Sequence, residues 1–151
     1  MNKEIILTLD YNILELYYNY YFKQHPKAKK VPIDKPIHPS INTWMILKRP
    51  MMNALKQKWK DFSIFVVRHY GYENLMINNC ELEVKSYFQT NRRHDIDNTV
   101  PKFILDGLSE VGFIVDDDAR HITKLSMECF VDKENPRTEL KFIIKENESE
   151  N

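Results

Sequence analysis

Acidic side chains stand in two groups on either side of one short stretch of the chain. Asp95 and Asp97 form the first group, and three consecutive aspartates, residues 116–118, form the second. Like charges that are held close together are unfavourable unless a proton or a cation neutralises them, and an all-oxygen cluster suits the hard ions Mg²⁺ and Mn²⁺. Such an ion would polarise a phosphodiester oxygen and lower the pKa of a neighbouring water. The chemistry that the two groups indicate is therefore metal-assisted attack on a phosphodiester.

Turn chemistry and solvated charge are the competing explanation for these acids, because acidic pairs in loops are common. In an extended segment side chains alternate, so Asp95 and Asp97 are predicted to project to one side and Ile96 to the buried side. A helix that links the two groups also favours a single site. A calcium EF-hand is excluded, since Val100 stands where that loop requires glycine.

Basic residues near the acids are candidates for contacts with phosphate groups. Lys102 lies in the first turn of the linking helix, where it would neutralise charge on a transition-state phosphate. Two clusters qualify as candidate nucleic-acid contacts: Arg92, Arg93, Lys27, Lys29 and Lys30. A solvated loop explains the arginine pair equally well. The chain carries 22 basic and 22 acidic residues, so broad charge-driven coating of nucleic acid is not expected.

The stretch between the acidic groups is predicted to be a short helix. Pro101 suits its first turn, and Gly112 suits its end. A strand is predicted before it, at residues 79–89, whose side chains alternate between apolar and polar. Residues 113–115 would return the chain towards the sheet, which would bring the second acidic group back to the first.

Alternation and helical periodicity predict the remaining elements. A strand is expected at residues 4–10, an amphipathic helix follows it, and a long core helix is expected at residues 50–69. Two alternating segments, residues 125–131 and 140–144, are predicted to pair as an antiparallel hairpin. The fold class is therefore α+β, a single domain with a mixed or antiparallel sheet and helices packed on one face.

Length and composition are those of one ordinary globular domain. The chain has 151 residues, of which 42% are hydrophobic and 29% charged, and no apolar run approaches the length that spans a bilayer. The N-terminus lacks the apolar core and cleavage site of a secretory signal, so cytoplasmic residence is expected. The two cysteines, Cys80 and Cys129, have no zinc-binding spacing and are expected to be reduced.

The segment "RRHDIDNTVPKFILDGLSEVGFIVDDDARHI" resembles the RusA family of Holliday-junction resolvases, which is found in bacteria and their prophages. The family pattern is a basic residue, D-[LI]-D-N, a helix that carries a lysine and an L-D-[AG]-L segment, and then a DD pair. The earlier "HPSINTW" is similar to the family's P-P-S-x-N segment. The resemblance covers roughly residues 36–145 and implies a RusA-like fold.

Roles of individual residues follow from their positions in the matching segment. The catalytic set that the resemblance implies is Asp95, Asp97, Asp117 and Lys102. The three aspartates are also the implied metal ligands, with Asp116 as the alternative to Asp117. One extra residue separates the first acidic pair from the helix, so Pro101 stands where the family usually has its lysine and Lys102 is the nearest match.

The implied activity is Mg²⁺-dependent cleavage of branched DNA, with Mn²⁺ as the alternative ion. The resemblance implies an endodeoxyribonuclease that resolves Holliday junctions by paired symmetric nicks in DNA recombination and repair. It also implies a homodimer, since a two-fold enzyme suits a symmetric substrate. Two other classes stay open: a noncatalytic DNA-binding module whose loops are ordered by a metal, and a metal-dependent enzyme that acts on nucleotides.

The chain departs from the family pattern near its beginning. Residues 1–35 are expected to form an N-terminal strand, an inserted tyrosine-rich helix and a basic, proline-rich connector. Residues 36–145 are expected to form the nuclease core, and residues 146–151 a disordered tail. For the inserted part, DNA contact and a dimer interface are both open, and its tyrosines are expected to pack rather than to stack on bases.

Overall fold

Four strands form one mixed sheet in the computed structural model, which describes residues 3–145. The strands are β1 (Lys3–Leu9), β2 (Cys80–Phe88), β3 (Ile122–Val131) and β4 (Arg137–Ile144). Their order across the sheet is β1-β4-β2-β3, and β4 runs antiparallel to both of its neighbours. β3 runs parallel to β2 at the edge. The predicted α+β fold with a mixed sheet is therefore confirmed, whereas the expected tail, residues 146–151, lies outside the described residues.

The predicted hairpin between the last two strands is wrong. β4 pairs with β1 and β2, so β2 lies between β3 and β4. The segment between β3 and β4 crosses the end of β2, where the Asp132 N–H donates to the Phe88 carbonyl oxygen over 2.9 Å. Alternating apolar residues indicate which face of a strand is buried, but they do not indicate which strand lies beside it.

Four α-helices accompany the sheet within the described residues. They are α1 (Tyr11–Gln24), α2 (Ile41–Met45), α3 (Arg49–His69) and α4 (Lys102–Glu110). The three longer helices confirm the predicted ones, whereas α2 has only five residues and is too short to show a helical period. Side chains cap two of the helices, because Asp10 accepts from the Ile13 N–H and Ser40 from the Thr43 N–H. Within residues 3–145 none of the helices combines the length and the apolarity that crossing a bilayer requires.

The two faces of the sheet differ in character. On the helix-covered face β2 and β4 bury alternate residues, among them Leu82 and Phe142. On the opposite face the Lys141 ammonium lies 3.5 Å from Glu4 and 3.6 Å from Glu83. Exposed ion pairs contribute little stability, so the buried face supplies most of the energy that holds the sheet.

Helices α3 and α4 approach each other closely at Gly107. A Cβ atom at this position would lie 2.9 Å from both the Lys60 carbonyl oxygen and the Ser63 Cβ. A larger residue would therefore push the two helices apart. Phe62 and Leu108 are buried in the same core. The close contact fixes the position of α4 and, with it, the loops that carry the acids.

Tyr17 and Tyr20 of α1 pack on α3, as their helical spacing predicts. Tyr17 is buried, and its ring centroid lies 5.2 Å from those of Phe62 and Phe65. The Tyr18 hydroxyl donates to the Ile33 carbonyl oxygen, which ties the proline-rich connector to α1. Since β1 also pairs with β4, the described N-terminal residues pack in the same unit as the rest.

Candidate active site

The first acidic group does not lie on an extended segment. Residues Ile96–Thr99 form a 3₁₀ turn, here called the acid turn, that starts directly after Asp95 and contains Asp97. The Asn98 N–H donates to the Asp95 carbonyl oxygen over 3.0 Å, and the Thr99 hydroxyl to the Ile96 carbonyl oxygen over 2.7 Å. The expectation that Ile96 is buried opposite two aligned acids is therefore wrong, since Ile96 is 50% exposed. Local hydrogen bonds from Asn and Thr override the alternation.

Two distant parts of the chain hold the acid turn in place. The Asn98 side-chain oxygen accepts a hydrogen bond from the Asn42 N–H in α2 over 2.8 Å. On the other side, the Thr99 hydroxyl lies 4.0 Å from the Cys129 sulfur in β3. The turn is thus fixed by its backbone and its polar side chains, while Asp95 and Asp97 remain exposed.

A histidine from another segment caps the start of α4. Pro101 occupies the N-cap position and offers no side-chain hydrogen bond. Instead, the buried His38 accepts the Phe103 N–H at Nε2 over 3.0 Å, and its Nδ1 donates to the Pro39 carbonyl oxygen over 2.7 Å. Burial lowers the pKa of His38 to about 4, although the Pro39 hydrogen bond and the Asp106 charge act in the opposite direction. His38 is therefore neutral at pH 7, with its proton on Nδ1.

Lys102 joins α4 to the second acidic group. Its ammonium lies 2.7 Å from Asp106 Oδ1, one helical turn further on, and 3.3 Å from Asp117 Oδ2. Partial burial acts to lower the pKa of Lys102, but the hydrogen bonds and charges of the two aspartates outweigh it and raise the pKa above its usual value. A fixed positive charge therefore stands beside Asp117.

Asp106 is the acid that sequence reasoning did not place in the site. Its side chain is only 16% exposed, and the Lys56 ammonium of α3 lies 3.7 Å from its Oδ2. Oδ2 is buried without a hydrogen-bond partner among the described residues. Two lysines thus lie beside one partly buried carboxylate. The available signal was the spacing of Lys102 and Asp106, four residues apart on a helix.

The three consecutive aspartates have three different sets of partners. Asp116 Oδ1 accepts the Asp117 N–H over 2.8 Å, so this carboxylate stabilises its own turn. Asp118 accepts the Arg120 N–H at 3.0 Å and its guanidinium at 3.1 Å. Slight desolvation opposes these bonds, but Arg120 lowers the pKa of Asp118 below its usual value. Asp117 is the member of the run that contacts Lys102.

The predicted basic residues lie in two separate places. A cavity of about 630 Å³ beside the acid turn is lined by Arg92, Arg93, Lys35 and Asp95, among others. The Arg93 Nε lies 3.8 Å from Asp95 Oδ1, but both side chains are largely exposed and such a pair is weak. The basic residues of the connector are exposed and do not line this cavity: Lys27, Lys29 and Lys30.

The ligand atoms that the acids offer fit a hard divalent ion, but the distances between the acids fit it less well. Asp95, Asp97 and Asp117 offer only carboxylate oxygens, which are the ligands that Mg²⁺ prefers. Within residues 3–145, however, no three side chains of metal-ligating type are gathered closely enough to hold an ion. The described contacts bring Asp117 to Lys102, but they do not bring it to the acid turn.

Comparison with known sequences agrees with the features of this site. No curated protein matches the chain closely enough to count as a relative. A family model described as "Endodeoxyribonuclease RusA" matches residues 2–143, which is almost the whole chain and includes β1, α1 and the connector. The protein therefore belongs to the RusA family of Holliday-junction endodeoxyribonucleases.

Proposed function

We propose that this endodeoxyribonuclease resolves four-way DNA junctions with the help of Mg²⁺, and that the acid turn, Lys102 and Asp117 form its active site. Resolvases of the RusA family act on Holliday junctions and are generally dependent on a divalent metal. The observation that carries the proposal is the 3.3 Å contact between Lys102 and Asp117. In this contact the Lys102 ammonium, which keeps its proton, lies against an aspartate that the family pattern assigns to catalysis.

The chain's own residues supply the charge and the positioning in this proposal. Asp95, Asp97 and Asp117 would hold the ion, and Mg²⁺ when bound supplies Lewis-acid polarisation of the phosphodiester. Lys102 would lie against the phosphate and stabilise the negative charge that develops on its oxygens. Asp106 would hold the Lys102 ammonium in place, because its partly buried carboxylate binds that ammonium at 2.7 Å.

Two further parts of the proposal concern assembly and setting. We propose a homodimer, since a four-way junction has two-fold symmetry and paired nicks require two active sites. We also propose that the enzyme acts in the cytoplasm, in recombination and repair, on junctions or on other branched DNA. Sedimentation of the purified protein, alone and bound to a junction, measures the number of protomers directly.

Cleavage of a labelled synthetic four-way junction tests the site assignment. Asp117→Asn removes one charge beside Lys102 at nearly constant volume, and we expect the nicking rate to fall by about 10²-fold to 10³-fold. Asp118→Asn is the matched control, because the same change falls on a side chain that binds Arg120. We expect this control to retain most of its activity, and omission of the divalent ion to abolish cleavage in both proteins.

Four outcomes would contradict the proposal in different ways. Wild-type cleavage without any divalent ion would remove the metal from the mechanism. Equal rates for wild type and Asp117→Asn would remove Asp117 from the site. Tight junction binding without cleavage by wild type in Mg²⁺ or Mn²⁺ would favour the noncatalytic DNA-binding module, and turnover of nucleotides without DNA binding would favour the nucleotide enzyme.

A further inference from the structure

Positive charge is concentrated in one segment of this electrically neutral chain. Residues 35–60 carry six basic residues and no acidic residue, although the whole chain has 22 of each. The six are Lys35, Lys48, Arg49, Lys56, Lys58 and Lys60. The rest of the chain therefore has an excess of six acidic residues. Lys56 and Lys60 pair with Asp106 and Glu110, which leaves four cations of this segment without an acidic partner among the described residues. Since phosphate backbones attract clustered Lys and Arg, this segment is a part of the molecule whose charge fits DNA.

The turn between α2 and α3 lies within this basic segment and exposes apolar side chains at its tip. Ile46 is 84% exposed, Met45 is 64% exposed and Met51 is 58% exposed. Lys48 and Arg49, both exposed, stand between them in the sequence. We call residues 45–51 the apolar tip. Its large apolar side chains and the cations between them form an amphipathic surface. No other part of the described chain covers this surface.

The apolar tip is anchored close to the acid turn. The Asn42 N–H binds the Asn98 side chain at 2.8 Å, and the Trp44 ring lies 5.0 Å from the Phe103 ring at the start of α4. Ile46 follows Asn42 by four residues, which corresponds to about 6 Å along a helix axis. The most exposed apolar residue of the described chain is therefore held a short distance from the residues that would cut the strand.

Resting on the proposed function, we infer that the apolar tip enters the open centre of branched DNA. Lys48 and Arg49 bind backbone phosphates of two arms, while Ile46 packs against a base pair that the branch point leaves unstacked. A continuous duplex offers no such base-pair face, whereas apolar side chains insert readily where stacking is already interrupted. The tip thereby helps the enzyme to distinguish junctions from linear DNA.

Charge argues for DNA rather than a second copy of the chain as the occupant. A symmetric dimer contact through the apolar tip would bring the same residues of both protomers together. Lys48 and Arg49 would then face Lys48 and Arg49 across the axis, which costs free energy unless anions separate them. The phosphates of the DNA arms provide those anions. They lie around the apolar bases of the branch point, as Lys48 and Arg49 lie beside Ile46.

Binding to a junction with 2-aminopurine at the branch point tests this inference. Binding is measured without added metal, so that no cutting occurs, and is compared with a linear duplex of the same sequence. We expect Ile46→Asn to lower junction affinity by about tenfold, as for the loss of one stacking contact, and to leave duplex affinity unchanged. The fluorescence increase that wild type produces at the branch should also disappear. Ile46→Met should retain both properties.

The matched control carries the same chemical change elsewhere. Ile6→Asn alters a 54% exposed isoleucine on β1, at the opposite edge of the sheet from β3, and should behave like wild type. Changing Lys48 and Arg49 together to alanine should weaken junction and duplex binding alike. It should also reduce the slope of log affinity against log salt concentration by about two, because two phosphate contacts are lost.

Two results would overturn the inference. Unchanged junction preference and branch fluorescence in Ile46→Asn would remove the apolar tip from branch recognition. A loss of dimer in the same variant, measured by sedimentation, would identify the tip as a contact between protomers instead. Either result leaves the proposed function standing if wild type still cuts junctions, whereas a wild type that cuts no branched DNA refutes the proposed function itself.

Discussion

The two acidic groups that flank α4 are organised in opposite ways. In the group that follows α4 in the sequence, Asp117 contacts Lys102, which Asp106 holds in turn. In the group that precedes α4, Asp95 and Asp97 are exposed, and hydrogen bonds of the backbone and of neutral side chains fix their turn. One group thus has an aspartate in contact with a lysine of the chain, whereas the other exposes both of its carboxylates.

This difference separates two tasks within the proposed site, which has a lysine-bound side with Asp117 and Lys102 and an exposed side with Asp95 and Asp97. The lysine-bound side is positioned by folding alone, because α4 is locked against α3 at Gly107 and capped by His38. On the exposed side, Asp97 has no ion pair among the described residues and Asp95 has only a weak one with Arg93, so both carboxylates stay accessible to a divalent ion. Substitutions on the lysine-bound side should therefore affect stability and activity, and those on the exposed side activity alone.

The largest expected effect falls on the exposed side. Asp97→Asn should reduce junction cleavage by about 10²-fold or more, because one ligand charge for the ion is lost. The free energy of unfolding should change by less than about 0.5 kcal/mol, since the side chain is exposed and has no ion pair among the described residues. Cleavage rates and urea unfolding curves measure the two quantities. A strongly destabilised variant would break the proposed division.

His38 should give the lysine-bound side a pH-dependent stability. Its pKa is lowered to about 4, whereas the ordinary histidine value is 6.5. Between these pH values the unfolded chain binds a proton that the folded chain does not. The free energy of unfolding should therefore fall as pH decreases from 6.5 to 4, by roughly 3 kcal/mol in total.

Urea unfolding at several pH values checks this expectation against His38→Gln. The glutamine amide oxygen can still accept the Phe103 N–H, but it does not titrate. The variant should lose the pH-dependent part of the stability while the other four histidines contribute equally to both proteins. Identical pH profiles would mean that His38 is not held neutral by the fold.

The smallest expected effect concerns the anchor of Lys102. Asp106→Asn should lower the turnover rate about tenfold and leave junction affinity unchanged, because Lys102 loses its closest partner but remains charged. Stability should fall by about 1 kcal/mol. Glu110→Gln is the matched control, since Glu110 lies on the same helix as Asp106 and pairs with Lys60 of α3 at 3.0 Å. If both variants cleave equally well, Asp106 does not position Lys102.

Sequence reasoning identified the local elements but not their long-range partners. Alternation in residues 79–89 correctly indicated β2, and helical spacing correctly indicated α1, α3 and α4. The same alternation could not reveal that β2 lies between β3 and β4, because a period of two defines faces and not neighbours.

The candidate site also contains long-range contacts that sequence periodicity does not reveal. The contact between Lys102 and Asp117 agrees with a helix that links the two acidic groups. His38 capping Phe103 and Asn42 binding Asn98 join positions that are 65 and 56 residues apart, so no local pattern carries either contact. The 3₁₀ geometry of the acid turn was missed for a local reason, since the bond from the Thr99 hydroxyl to the Ile96 carbonyl oxygen competes with extended structure.

The strand order also determines when the molecule can fold. β1 is the first element described, and its neighbour in the sheet is β4, the last element described. During synthesis β1 therefore has no strand to pair with in this sheet until β4 has emerged from the ribosome. A nascent chain that stops before residue 137 leaves β1 and β2 with no strand between them, so the four-stranded sheet can form only after β4 has been made.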